Sequence, residues 1–181
     1  MNNLIETKLL VLLMAVGFCL NFFCGVTGSF FPPENYIQMT IWQIGDALAI
    51  MACVLAGRYI GNRGQNIAAA GFTMLAIAYG VSFASSNINS INEEKMATII
   101  LPLLPALFLI SFCKLFSLWL RLSSLLICIP FLFVYKNVTQ GTYNFENISN
   151  TLAYTGIQLL GLLWTFSIYK DFKINIKQRN N

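Results

Sequence analysis

The stretch WQIGDALAI, residues 42–50, sets a carboxylate, Asp46, in an otherwise apolar run, with Gln43 nearly one turn earlier. A carboxylate in mid-membrane costs about 2.5–3.5 kcal/mol on insertion scales, so it is expected to face a bundle interior and meet polar partners. The chemistry open to it is binding of a cation or polar solute, or exchange of a proton as a proton-linked switch. Arg121 is the other intramembrane charge. It lies about 8 Å inside its helix end, close enough to snorkel to the headgroups without a partner. The competing expectation, an Asp46–Arg121 pair, requires spanning a depth difference of about 10 Å.

Other polar side chains fall in the same layer as Asp46. At 1.5 Å per residue, Asp46 and Asn21 lie about 12 Å below the outer ends of their helices, and Tyr79 and Gln158 about 10 Å. Gln43 and Tyr154 stand one turn nearer the surface. The candidate pocket is therefore Asp46, Gln43, Asn21, Tyr79, Gln158 and Tyr154, opening outward. The bland alternative is interhelical glue, worth about 0.6 kcal/mol per side chain.

The elements that position these residues are membrane helices. The chain has 181 residues, 57% hydrophobic and 10% charged, against about 25% charged in soluble domains. So much apolar surface cannot be hidden in a soluble fold of this length. Six apolar runs, at 9–30, 38–57, 66–86, 96–112, 116–135 and 151–169, have the length that crosses ~30 Å of hydrocarbon. The expected fold is a single all-α, six-span membrane bundle over 1–181, with a basic cytoplasmic tail at 170–181. The first run continues through Phe31 without an A-x-A-like site, so it reads as an uncleaved helix rather than a signal peptide.

Loop charges set the orientation. Lys8, Arg58, Arg63, Lys114, Lys170, Lys173, Lys177 and Arg179 fall on one side of six spans. Lys95 and Lys136 fall on the other, with Glu34, Glu93, Glu94 and Glu146. The positive-inside rule then makes both termini cytoplasmic. The tail KDFKINIKQRNN reads as a helical extension or a disordered end drawn to anionic headgroups.

Small residues recur at helical spacing and predict close helix approach. The positions are Gly45, Ala49, Ala52 and Ala56 on the second helix, and Gly17 and Gly28 on the first. Ala76 and Gly80 on the third and Gly161 on the sixth complete the set. The fourth run has no such stripe and reads as peripheral. Pro102, Pro105 and Pro130 are each expected to free a carbonyl one turn earlier and kink their helices.

Several classes are disfavoured. The chain has no histidine, which removes His-ligated haem or zinc and Ser-His or Cys-His catalysis. Its five cysteines form no C-x-x-C pair and read as small packing residues. No cofactor or metal is expected, and no catalytic constellation favours an enzyme. The Asn92–Lys95 run reads as solvated charge. The sequons at Asn137 and Asn147 number about what chance gives in so Asn- and Ser/Thr-rich a chain. Basic residues cluster at span edges rather than along a groove, so nucleic acid is not an expected partner. Two function classes remain. One is a small-solute, ion or proton-linked transporter or channel-like protein centred on Asp46. The other is a non-catalytic accessory subunit that packs against a membrane partner or a second copy of itself. The membrane is the cytoplasmic membrane if the chain is bacterial, because outer-membrane spans are barrels.

Overall fold

Apolar runs of this length satisfy every backbone group internally only as helices, and the computed structural model is built of them. It describes residues 2–32, 35–85, 93–144 and 147–180. The helices are α1 (Asn2–Gly28), α2 (Tyr36–Asn62), α3 (Asn66–Ser85), α4 (Glu93–Ile110), α5 (Leu118–Leu126), α6 (Cys128–Thr139) and α7 (Ile148–Asn180). Five stretches are long and apolar enough to cross a membrane: Leu4–Gly28, Tyr36–Asn62, Asn66–Ser85, Leu118–Thr139 and Ile148–Gln178. The described apolar part of α4, Ile99–Ile110, is shorter.

The Leu118–Thr139 stretch is two helices in line. The expected proline effect is visible there: α5 ends at Leu126, the residue whose carbonyl an N–H at position 130 would bind, and Pro130 has none. One residue, Ile127, separates α5 from α6. Pro102 and Pro105 lie inside α4. Turns follow local chemistry. Asn35 Oδ1 accepts from the Ile37 N–H at 2.9 Å at the start of α2, a standard N-cap. Gly64, at φ +76°, supplies the left-handed residue that lets the chain reverse between α2 and α3.

Packing closes the rods into a ring: α1 lies against α2, α2 against α3, α3 against α4, α4 against α6, α6 against α7, and α7 against α1. The start of α1 and the C-terminal part of α7 lie at one end of this ring, called here the terminal end, where Glu6 meets Arg58, and Asp171 meets Tyr59 and Arg63. The α1–α2 connection and the start of α7 lie at the other, the connection end. On the terminal side the centre is filled by aromatic groups. Trp164 is fully buried, with Phe72 edge-on at 5.0 Å and Phe18 at 6.2 Å between ring centroids.

Glycines set the closest approaches. A Cβ on Gly17 would come within 2.9 Å of Ala52 Cβ and of the Leu48 carbonyl, and one on Gly161 within 2.9 Å of the Phe18 ring. Gly28 is covered by the Trp42 indole. Gly45, Ala49, Ala52, Ala56 and Ala76 are all buried. Gly80 departs from its stripe: a Cβ there would meet nothing within 4 Å, so it mediates no contact.

The peripheral position expected for the fourth run is also corrected. Gly71 on α3 brings that helix against the α4 backbone, with Ala106 O and Ile110 N both within 3.0 Å of an added Cβ. Ile100, Ala106, Leu107 and Ile110 are fully buried. The small residue that permits this contact sits on α3, so α4 needs no stripe of its own.

The tail is not loose. α7 continues through Asn180, and Phe172 is buried against the core. Charge divides between the ends. Lys8, Arg58, Arg63, Lys114, Lys170, Lys173 and Lys177 are at the terminal end, while Lys136 lies at the far end of α6. Glu34 and Glu146 lie outside the described residues, as do the side chains of Glu93, Glu94, Lys95 and Arg179.

Candidate functional site

The polar layer begins with α1 and α2. Because Gly45 carries no side chain, Asn21 approaches the α2 backbone and donates Nδ2 to the Gly45 carbonyl at 3.0 Å. That places Asp46, the next residue, beside the α1–α2 seam. Asp46 is part-buried, and the Ser82 hydroxyl on α3 is its hydrogen-bonding neighbour. Tyr79 on α3 and Tyr154 on α7 both lie within electrostatic reach of its carboxyl group. Gln158 crosses from α7 to the α1 backbone at Gly25, where any Cβ would overlap its amide.

These residues share one cavity of about 370 Å³ in the connection half of the ring. Five of the six candidate pocket residues line it: Asn21, Asp46, Tyr79, Tyr154 and Gln158. Gln43 does not, and helical geometry gives the reason. The lining face of α2 runs through Gln38, Trp42, Gly45 and Asp46. At 3.6 residues per turn, Gln43 projects about 60° beyond Asp46, on the side away from Gly45. The cavity reaches the helix ends at Ser29, Phe31 and Ser85.

Several lining residues carry no obvious signal in the sequence. Gln38 donates Nε2 to the Gly28 carbonyl at 3.2 Å and to the Phe31 carbonyl at 3.1 Å, which satisfies the C-terminal carbonyls of α1 and fixes the cavity rim. Ser82 was detectable, since it lies one turn beyond Tyr79 on the same face of α3. Trp42 and Thr155 read as ordinary interfacial and helical residues until the helices are assembled. On the connecting segment, Tyr143 packs beside Tyr154, and burial pushes its phenol up to about 12 although the Asn150 side chain bonds it.

Arg121 does not pair with Asp46. Its Nε donates to the Ser111 carbonyl at 2.6 Å, just past the end of α4. A guanidinium there satisfies an orphan carbonyl and complements the negative end of the helix dipole. Among the described residues, no Lys or Arg pairs with Asp46.

A second polar cluster, absent from the sequence reading, lies at the terminal end. Asp171 accepts from Tyr59 Oη at 2.7 Å, from Arg63 Nη2 at 3.0 Å and from Asn175 Nδ2 at 3.1 Å. Two matched i, i+4 pairs, Tyr59/Arg63 on α2 and Asp171/Asn175 on α7, were the available signal. Nearby, Arg58 pairs with Glu6 on an exposed surface.

The chain matches no protein-family model, no curated protein and no solved structure. Among the described residues, no group of three His, Cys, Asp or Glu side chains is arranged to hold a metal ion.

Proposed function

We propose that this chain is a six-span integral membrane protein that handles a small polar solute, ion or proton through the Asp46 cavity, as a transporter or channel-like protein. The observation that carries the reading is a carboxylate that pairs with no Lys or Arg among the described residues, at the wall of a cavity of about 370 Å³. Small-molecule sites run from about 300 to 1,000 Å³ and combine apolar walls with a few placed polar groups. A carboxylate kept at this depth solely for packing would be replaceable by an apolar residue at a gain in stability.

In this reading α4 is the sixth span, both termini are cytoplasmic, and the cavity opens to the opposite side. The distribution of Lys and Arg toward the terminal end supports that orientation. In this reading the aromatic cluster of Trp164, Phe72 and Phe18, on the terminal side, closes the ring against passage. Release to the other side then requires α4 or the α5–α6 pair to move. Their helical ladders are already interrupted, at Pro102 and Pro105 and at Ile127. Pro102 stands between Ile99 and Leu103, two residues of the cavity wall.

The test is Asp46→Asn in a solute-uptake or conductance assay in reconstituted vesicles, with folding monitored alongside. Lost flux in a folded variant supports the reading. Unchanged flux, or a wild-type protein that moves nothing and co-purifies with a stoichiometric membrane partner, favours the accessory-subunit role instead.

A further inference from the structure

We infer that the ligand of the cavity is a small organic cation, an amine or quaternary ammonium compound, held between the Asp46 carboxylate and the aromatic groups of Trp42, Tyr79 and Tyr154. This narrows, and rests on, the reading of the cavity as a solute site. The first argument is charge. The described lining holds one carboxylate and neither Lys nor Arg. The described Arg side chains are engaged elsewhere: Arg121 with the Ser111 carbonyl, Arg63 with Asp171 and Arg58 with Glu6. An anionic ligand would meet a repelling negative group, and a neutral polyol would gain hydrogen bonds from it but no attraction between net charges.

The second argument is the wall. Phe31, Trp42, Tyr79 and Tyr154 all contribute to it. Aromatic faces attract cations through the ring quadrupole, tryptophan most strongly, and the attraction rises when the pair is shielded from water. Tyr79 and Tyr154 are also the two phenols within electrostatic reach of Asp46, so carboxylate and aromatic groups converge on one volume.

The third argument is size. A bare inorganic cation needs several oxygen ligands drawn close around it, six to eight for calcium and a near-ideal octahedron for magnesium. A single carboxylate in about 370 Å³ does not supply that shell. The volume fits a compact organic cation, with further polar side chains such as Thr151 and Thr155 on the same wall.

Choline and its neutral carbon isostere, 3,3-dimethyl-1-butanol, separate these ideas. Binding of each to the full-length chain is measured by calorimetry in maltoside micelles, which carry no choline headgroup. The inference expects choline to bind at least about tenfold more tightly than the isostere, and Asp46→Asn to lose at least tenfold for choline while barely changing the isostere. The wild-type comparison needs no substitution, so it stands even if the variant does not fold. Equal binding of the two probes overturns the cation inference and leaves the solute cavity standing. Binding of neither at millimolar concentration overturns both. Competition by short-chain phosphatidylcholine distinguishes the source: displacement tighter than by choline assigns a lipid headgroup and upholds the ligand class, whereas weak displacement assigns a free solute and upholds it equally.

Discussion

Asp171 and Asp46 are both part-buried carboxylates on helices of the same ring, and they are treated in opposite ways. Asp171 is surrounded by a phenol, a guanidinium and an amide, at 2.7, 3.0 and 3.1 Å. Its oxygens are occupied, and they tie α7 to α2. Asp46 has a serine hydroxyl, two phenols within electrostatic reach, no cation among the described residues, and an open volume beside it. A saturated carboxylate holds helices together, whereas one left short of positive charge beside a cavity is available to something that enters. The same contrast runs through the glycines of α3. Gly71 is pressed against the α4 backbone, and Gly80, about 13.5 Å further along at 1.5 Å per residue, faces open space.

Breaking the saturated cluster is expected to cost most. Asp171→Ala removes the acceptor for three donors and leaves Arg63 uncompensated. We expect a loss of about 3 kcal/mol, discounted from the fully buried case because Arg63 is partly exposed. Denaturation in mixed micelles measures it, and a loss below about 0.5 kcal/mol would show the cluster to be incidental. Gly71→Ala comes next, at about 2 kcal/mol, because backbone rather than a flexible side chain opposes the new methyl. A neutral result by the same measurement would mean that α3 and α4 are not in close contact.

Two smaller effects sharpen the other side of the comparison. Gly80→Ala is expected to stabilise the chain by about 0.5–1 kcal/mol, from helix propensity with no steric penalty. A destabilised variant would reveal a neighbour at Gly80. Asp46→Asn keeps the shape and a hydrogen-bonding group, so its melting temperature should match or slightly exceed the parent's while solute binding falls. A large drop in melting temperature would make Asp46 a second structural carboxylate and erase the contrast with Asp171.

Much of this organisation is legible in the residues. Apolar run length locates the helices, and counting depth along them brings Asn21, Asp46, Tyr79 and Gln158 to one level, with Tyr154 one turn above. Depth does not specify rotation closely enough, and so Gln43 was expected in the pocket it misses by about 60°. Contacts made across the ring were harder to read. The burial of α4 depends on one glycine of α3, and Arg121 finds a backbone carbonyl, which has no residue-type signature. The docking of the tail depends on Asp171 meeting Tyr59 and Arg63 more than a hundred residues away. Charges near a chain end more often suggest a solvated extension than a tertiary anchor.

The central claim is that a water-accessible cavity beside Asp46 opens on the side away from the termini. It is tested most directly by Thr155→Cys in a background with all five native cysteines replaced. Thr155 lines the cavity about two turns into α7. A charged, membrane-impermeant thiol reagent applied to intact cells should label it rapidly. Labelling only after denaturation, or only from the side that carries the termini, would contradict the account.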